Sequence, residues 1–346
     1  MTGKGDMEGG PPTGVPAIPR GATVSQVGEI DLIRAITVRL AAAAVAAAGA
    51  DPRRPSVGPV LVGPGDDAAV IAAPDGRVVA ATDVLVEGRH FKRDWSSGVD
   101  VGVRAAAANL ADIAAMGAVP TTLLVGLAVP PELPAEWVLE LADGLAAEAA
   151  RAGAVVSGGD LVSGDTITVA VTALGSLQDR DPVLRSGARP GDLVAVAGRL
   201  GWAAAGLAVL SRGFRSPRVL VDAHRRPVPP YDEGPRAALL GATAMVDVSD
   251  GLVSDLGHLA GASGVAVRLD SSAFHVPQEL VDTARALNAD PVQWLLAGGD
   301  DHALAATFPP DVDLPMAWSI VGRVAAGEGV RVDGAPWSGA GGWRTF

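Results

Sequence analysis

Apolar runs at helical spacing alternate along this chain with short β-branched runs that end beside glycine and aspartate. Residues 29 to about 48 read as a helix with Arg34 and Arg39 on its wet side. Residues 69–72 and 78–84 read as strands flanking the turn Pro74-Asp75-Gly76, which places the acidic pairs before and within them at the ends of neighbouring strands. Residues 100–116 have helical character closed by Gly117, so Asn109 and Asp112, three apart, share a face. A strand over 122–129, an amphipathic helix over 134–152, a strand at 154–156 running into Gly158-Gly159-Asp160 and a further strand over 166–174 complete an α/β first unit.

Asp-Pro, Arg-Pro and Gly-Asp dipeptides between residues 178 and 191 mark an exposed connection. Beyond it the pattern predicts a strand at 193–197, a helix at 202–211 and a loop through Pro227, Pro229 and Pro230. A strand at 244–248 then delivers Asp247 and Asp250 to the start of a helix after Gly251, where Ser249 and the following amides suit a phosphate. The expected organisation is a tail over residues 1–22, a first domain over 23–180 and an α/β second domain over 181–346. No short-period repeat is evident.

Composition narrows the classes. With 346 residues, 49% of them hydrophobic, the chain can bury a large core, built mostly from aliphatic side chains because aromatics are only 4%. A formal charge of −12 opposes nucleic acid and anionic membrane surfaces as partners. The apolar run at 41–50 is too short to span a bilayer, and the opening segment, rich in Gly and Pro without an apolar stretch, reads as a disordered tail rather than a signal peptide. The absence of cysteine excludes disulfides, thiolate metal sites and cysteine nucleophiles, and fits a cytoplasmic enzyme.

Six acidic clusters beside small residues carry the candidate chemistry: Asp66-Asp67, Thr82-Asp83, Asn109 with Asp112, Gly159-Asp160, Asp247 with Asp250, and Asp300-Asp301. Hard divalent cations take oxygen ligands, and an acidic protein binds polyphosphates when such ions invert the local charge. The two lysines, Lys4 and Lys92, complete no G-x-x-x-x-G-K-[ST] loop, and no protein-kinase signature is present. Phosphoryl transfer by this chain would rely on Mg²⁺ and arginine.

In order, Gly63 to Ala68 (GPGDDA), Thr82-Asp83, Asn109 to Gly117 (NLADIAAMG), Gly158-Gly159-Asp160, Arg185-Ser186-Gly187, Asp247 to Leu252 (DVSDGL) and Gly298 to Asp301 (GGDD) resemble the thiamine-monophosphate kinase family, within the aminoimidazole ribonucleotide synthetase-like group. The resemblance implies ATP-dependent phosphorylation of thiamine monophosphate to thiamine diphosphate. It also implies a homodimer whose first domains pair into a shared β-barrel. By the same resemblance Asp67, Thr82, Asp83, Asp112, Asp160, Asp247 and Asp250 would be Mg²⁺ ligands, Gly159, Asp160, Arg185 and Ser249 would contact ATP, and His90, Asp300 and Trp343 would contact the acceptor. Departures are Ala81 where serine is frequent, Asp300 where glutamate is frequent, His302 where tyrosine is frequent, and Pro230 where a frequent H-x-R-P-x-P-R motif ends in arginine.

The residue types suit that reaction. Two polyanions must be pressed together, which several ions held by separate carboxylates would permit. A phosphate monoester has a second pKa of about 6, so the attacking oxyanion needs no catalytic base. A cationic thiazolium ring suits an aromatic face and a carboxylate, the roles open to Trp343 and Asp300. Two other readings stay open: another enzyme of the same group, such as aminoimidazole ribonucleotide synthetase, or a non-catalytic module that binds Mg-nucleotide or thiamine phosphate.

Overall fold

Two large sheets, one in each half of the chain, organise the computed structural model, which describes residues 18–48, 60–62 and 69–337. The Asp66-Asp67 pair, Trp343 and most of the expected tail lie outside the described residues. The first half comprises α1 (Val24–Val27), α2 (Glu29–Ala48), the paired short strands β1 (Val60–Val62) and β2 (Val70–Ile71), β3 (Val79–Val86), α3 (Gly98–Ala115), β4 (Val119–Val129), α4 (Ala135–Arg151), β5 (Val155–Ser163) and β6 (Thr168–Ser176). Four of these strands form a sheet in the order β3-β6-β4-β5, with β6 antiparallel to both neighbours and β4 parallel to β5 across the α4 crossover. Alternation along β6 buries Val169, Val171 and Ala173 against the helices and leaves Thr168, Ala170 and Thr172 on the other face.

α3 positions the site, and its sequence explains its placement. Ser97 and Asp100 close a reciprocal capping box, the Asp100 carboxylate accepting from Ser97 N at 2.9 Å, and Gly117 ends the segment at φ +73. Alanine and glycine along its length let α4 approach backbone to backbone: a Cβ at Gly144 would run into the Val99 carbonyl, and one at Gly102 into that of Leu141. Gly144→Val is therefore expected to destabilise the protein by about 3 kcal/mol. An unchanged midpoint in urea would refute so close a crossing.

The second half comprises β7 (Leu193–Ala197), α5 (Trp202–Ser211), α6 (Arg218–Arg225), α7 (Glu233–Leu239), β8 (Ala244–Val248), α8 (Leu252–Ser263), β9 (Ala266–Leu269), α9 (Gln278–Leu287), α10 (Pro291–Ala297), β10 (Ala303–Phe308), β11 (Trp318–Ala325), β12 (Gly329–Val332) and β13 (Ala335–Pro336). Its seven strands run β13-β12-β9-β11-β7-β10-β8, all antiparallel pairs except β9 with β12. β7, β8 and β10 are buried along their whole length, as their unbroken apolar runs require. β8 closes one end of the sheet and is covered by α3 from the first half and by α8.

Three local expectations change. Gly158, Gly159 and Asp160 lie inside β5 rather than after a strand, because parallel pairing with β4 continues through them to Ser163. Asp83 sits in the middle of β3, opposite Val171, rather than at a strand end. α6 and α7 form on either side of the proline-rich loop, where only the loop is predicted. The four-stranded sheet is open, with β3 and β5 at its edges, so no barrel closes within one chain among the described residues. No helix among them is long and apolar enough to cross a membrane.

Candidate active site

β3, α3 and β8 each bring one carboxylate to a common place between the two halves. Asp83 shares its sheet face with Val171 and Ala173, the face on which Ile113 of α3 packs over Gly175. Asp112 reaches the same place from α3, and Asp247, almost fully buried, from β8. Burial raises the Asp83 pKa, with Asp247 and Asp250 adding to the rise while His302 and His90 oppose it. Burial, followed by the charges of Asp247 and Asp83, pushes Asp112 up to about 7. Asp250 is raised by burial, then by Asp247 and Asp300 against His258 and Arg185.

The Asp83, Asp112, Asp247 and Asp250 carboxylates therefore share one repulsive field. A set of oxygen donors from three elements, each opposing ionisation of the next, fits hard divalent cations such as Mg²⁺. Arg185 is exposed at the rim and draws down the pKa values of Asp112 and Asp250. His90 follows β3 in a turn, its Nδ1 accepting from Val86 N at 2.9 Å.

The start of α8 is arranged differently from the phosphate cradle expected there. The amides of Asp250 and Gly251 both donate to Asp255 Oδ2 at 3.0 Å, and Ser249 O accepts from Asp300 N at 2.8 Å. Burial, followed by Asp247 and Asp250, pushes Asp255 up to about 7. Asp250, Asp255 and His258 each bring one ligand atom within 4.8 Å of the others.

The Gly298–Asp301 loop packs directly on this helix start, since a Cβ at Gly299 would collide with the Ser249 carbonyl. Asp300 follows in the left-handed region, φ +66, and pairs with Arg104 at 2.8 Å. Burial alone would raise its carboxyl, but Arg104 holds it below the ordinary range. Asp301 is buried and caps α5, accepting from Ala203 N at 2.9 Å, and burial pushes it up to about 7. His302, φ +51, places Nδ1 3.1 Å from Asp247 Oδ2.

Thr82 and Asp160 stand apart from the four carboxylates. The two-residue period puts them on the face of the sheet away from α3, Thr82 receiving a hydrogen bond from Thr172 at 3.2 Å and Asp160 accepting from Leu161 N at 3.0 Å. Of the expected site residues, the fold thus gathers Asp83, Asp112, Asp247 and Asp250, with Arg185, His90, Ser249 and Asp300 around them. It turns Thr82 and Asp160 the other way, and Asp67 and Trp343 lie outside the described residues. The sequence assigned no role to Arg104, Asp255 or His302. Only Arg104 carried a local signal, standing four residues after Asp100 and eight before Asp112 on a predicted helix.

Residues 65–177 match the family AIR synthase related protein, N-terminal domain, and residues 189–334 match AIR synthase related protein, C-terminal domain. A thiamine-monophosphate kinase of Mycobacterium tuberculosis is 50% identical over 289 residues, covering 83% of this chain and 86% of the relative. The crystal structure of thiamine-monophosphate kinase from Stenotrophomonas maltophilia K279a superposes with a TM-score of 0.75 at 31% identity, covering 87% of this chain and 96% of that one. A structure of AaThiL complexed with AMPPCP and TMP gives a TM-score of 0.74 at 30% identity, covering 94% and 99%. Carboxylates drawn from both matched domains onto α3, together with this extent of likeness, make the chain a member of the thiamine-monophosphate kinase family.

Proposed function

We propose that this protein transfers the γ-phosphoryl group of ATP to thiamine monophosphate, giving thiamine diphosphate and ADP. The observation that carries the reading is the convergence of Asp83, Asp112 and Asp247 from two domains. The half-identical thiamine-monophosphate kinase and the relative complexed with AMPPCP and TMP supply the substrates.

In this reading Asp83, Asp112, Asp247 and Asp250 hold Mg²⁺, with Asp67 as a further ligand. Bound Mg²⁺ supplies charge neutralisation between the two phosphate chains and stabilises the transferring group. Asp83, Asp112 and Asp247 fix where that neutralisation occurs, because they stand on a strand, a helix and a strand rather than on one loop. Arg185 adds positive charge at the rim, where the triphosphate enters. No residue need act as base, since the acceptor phosphate is already ionised at neutral pH. His90 and Asp300 receive the acceptor, Asp300 at its cationic ring with Trp343. Ser249 and Gly159 contact the nucleotide.

Thr82 and Asp160 serve the same reaction from the outer face of the sheet. Val84 and Val162 lie on that face with about half their surface in water, and both sheet edges are open. A second copy packed there, closing the two sheets into a barrel, covers these side chains and brings Thr82 and Asp160 into an enclosed site. We take residues 23–180 and 181–346 as the two domains and the cytoplasm as the compartment.

The test is incubation of purified protein with thiamine monophosphate and Mg-ATP, with and without EDTA, followed by chromatographic separation of the thiamine phosphates. Metal-dependent thiamine diphosphate with equimolar ADP is expected. Folded protein that binds Mg-ATP yet forms no thiamine diphosphate would overturn the assignment.

A further inference from the structure

Asp100, Arg104 and Asp112 follow one another along α3 at steps of four and eight residues, on a stripe that winds slowly round the helix. Each meets the second half of the chain. Asp100 pairs with Arg226, Arg104 with His224 and Asp300, and Asp112 stands beside Asp247. The matching part of the H-x-R-P-x-P-R motif, His224 and Arg226, thus docks on α3. Its loss of the last arginine, at Pro230, leaves these two contacts intact.

Arg104 is the centre of this contact, a residue only 8% exposed. Nη2 lies 2.8 Å from Asp300 Oδ2, while Nη1 donates to the His224 carbonyl at 3.1 Å and lies 3.4 Å from His224 Nε2. Burial, reinforced by Arg104, pushes His224 down to about 3, so the ring is neutral and its Nε2 can accept. A planar fork held at two points presents its remaining donors in a fixed direction, which a lysine ammonium would not. Asp300 is held from the other side through its backbone, by Ser249 O.

We propose that Arg104, seated by His224, is a positioning residue that fixes the Asp300 carboxylate toward the cationic ring of the acceptor. The inference rests on the reading of the acceptor as thiamine monophosphate. At 1.5 Å per residue, the eight residues from Arg104 to Asp112 separate the two ends of the site by about 12 Å along α3. One helix thereby sets the ring end and the phosphate end of a single substrate in register. Arg104 itself touches Asp300 rather than the reacting atoms.

The experiment compares wild type with Arg104→Lys, Arg104→Gln, Asp300→Asn and the Arg104→Gln/Asp300→Asn double variant. It reads kcat, KM for each substrate, and affinity for thiamine monophosphate by calorimetry. Arg104→Gln is expected to raise KM for thiamine monophosphate about tenfold or more with KM for Mg-ATP within about twofold of wild type. Arg104→Lys should fall between the two, and the double variant should be no worse than Asp300→Asn alone, because the two residues act as one unit. An unchanged or lowered KM for thiamine monophosphate in Arg104→Gln, or an equal rise for both substrates, would overturn the proposal. Should Arg104→Gln fail to fold, His224→Gln decides: a rise of about threefold in the same KM is expected, and no rise overturns it. A wild type that binds thiamine monophosphate in the calorimeter without converting it would refute the reaction, while the affinities of the variants would still decide the role of Arg104.

Discussion

Asp112→Asn is expected to lower turnover by about a thousandfold or more while leaving the metal-free protein at least as stable as the parent. The two halves of this expectation have one cause. Asp112 is pushed up to about 7 because burial and the charges of Asp247 and Asp83 oppose its ionisation. Replacing it by a neutral amide of the same shape removes that opposition in the absence of metal. The same replacement takes an oxygen anion from the proposed cation-binding set, where an amide oxygen is a weaker ligand. A thermal scan in EDTA and a coupled ADP assay in Mg²⁺ measure the two effects on one preparation. A variant that turns over at the parental rate would remove Asp112 from the ion site. A variant that melts well below the parent would mean that the acid cluster is not repulsive.

The metal-free wild type is expected to lose stability as pH rises from about 5 to 8, and Mg²⁺ should restore part of the loss. Asp112, Asp255 and Asp301 are each pushed up to about 7, against 3.8 when unfolded. Between those values the folded chain binds more protons than the unfolded one, so stability falls with rising pH and levels off above about 7. His302, raised above 6.5 by its bond to Asp247 against the effect of burial, acts in the same direction as it loses its proton. His224, pushed down to about 3, acts the other way between 3 and 6.5, but one group opposes three. The combined effect is on the order of a few kcal/mol. Melting temperatures in EDTA at pH 5, 6, 7 and 8 test this, and a flat or rising series would refute it. Mg²⁺ should recover the share of Asp112 but leave that of Asp301, which caps α5 away from the ions.

Parts of the second half were legible because glycine stands beside β7 and α5 and the apolar runs of β7 and β8 are unbroken. β7, α5 and β8 fall where the apolar runs predict them, and Gly251 opens α8. β5 was harder: two consecutive glycines usually mark a turn, and only pairing with β4 shows that the strand continues through them. α6 and α7 were masked by the prolines between them. For the site, the carboxylates were visible as motifs, but which of them meet was not. Thr82 and Asp83 illustrate the limit, since neighbours on a strand point to opposite faces and cannot line one side together. His302 beside Asp247 and Arg104 beside Asp300 are pairings across long stretches of sequence, for which no local pattern exists.

α3 belongs by sequence to the first domain, yet it covers the end strand β8 of the second and touches α6, α7 and β10. Asp100 and Arg104 on this helix are matched to Arg226 and His224 on the other side. The two domains are consequently heritable only as a matched pair. A chimera joining either half to a distant relative's complement would retain two sound sheets, but would set α3 against a surface that did not evolve with it. Substitutions along α3 and the segment 224–226 are thus expected to change together over evolutionary time, more closely than either changes with its own domain.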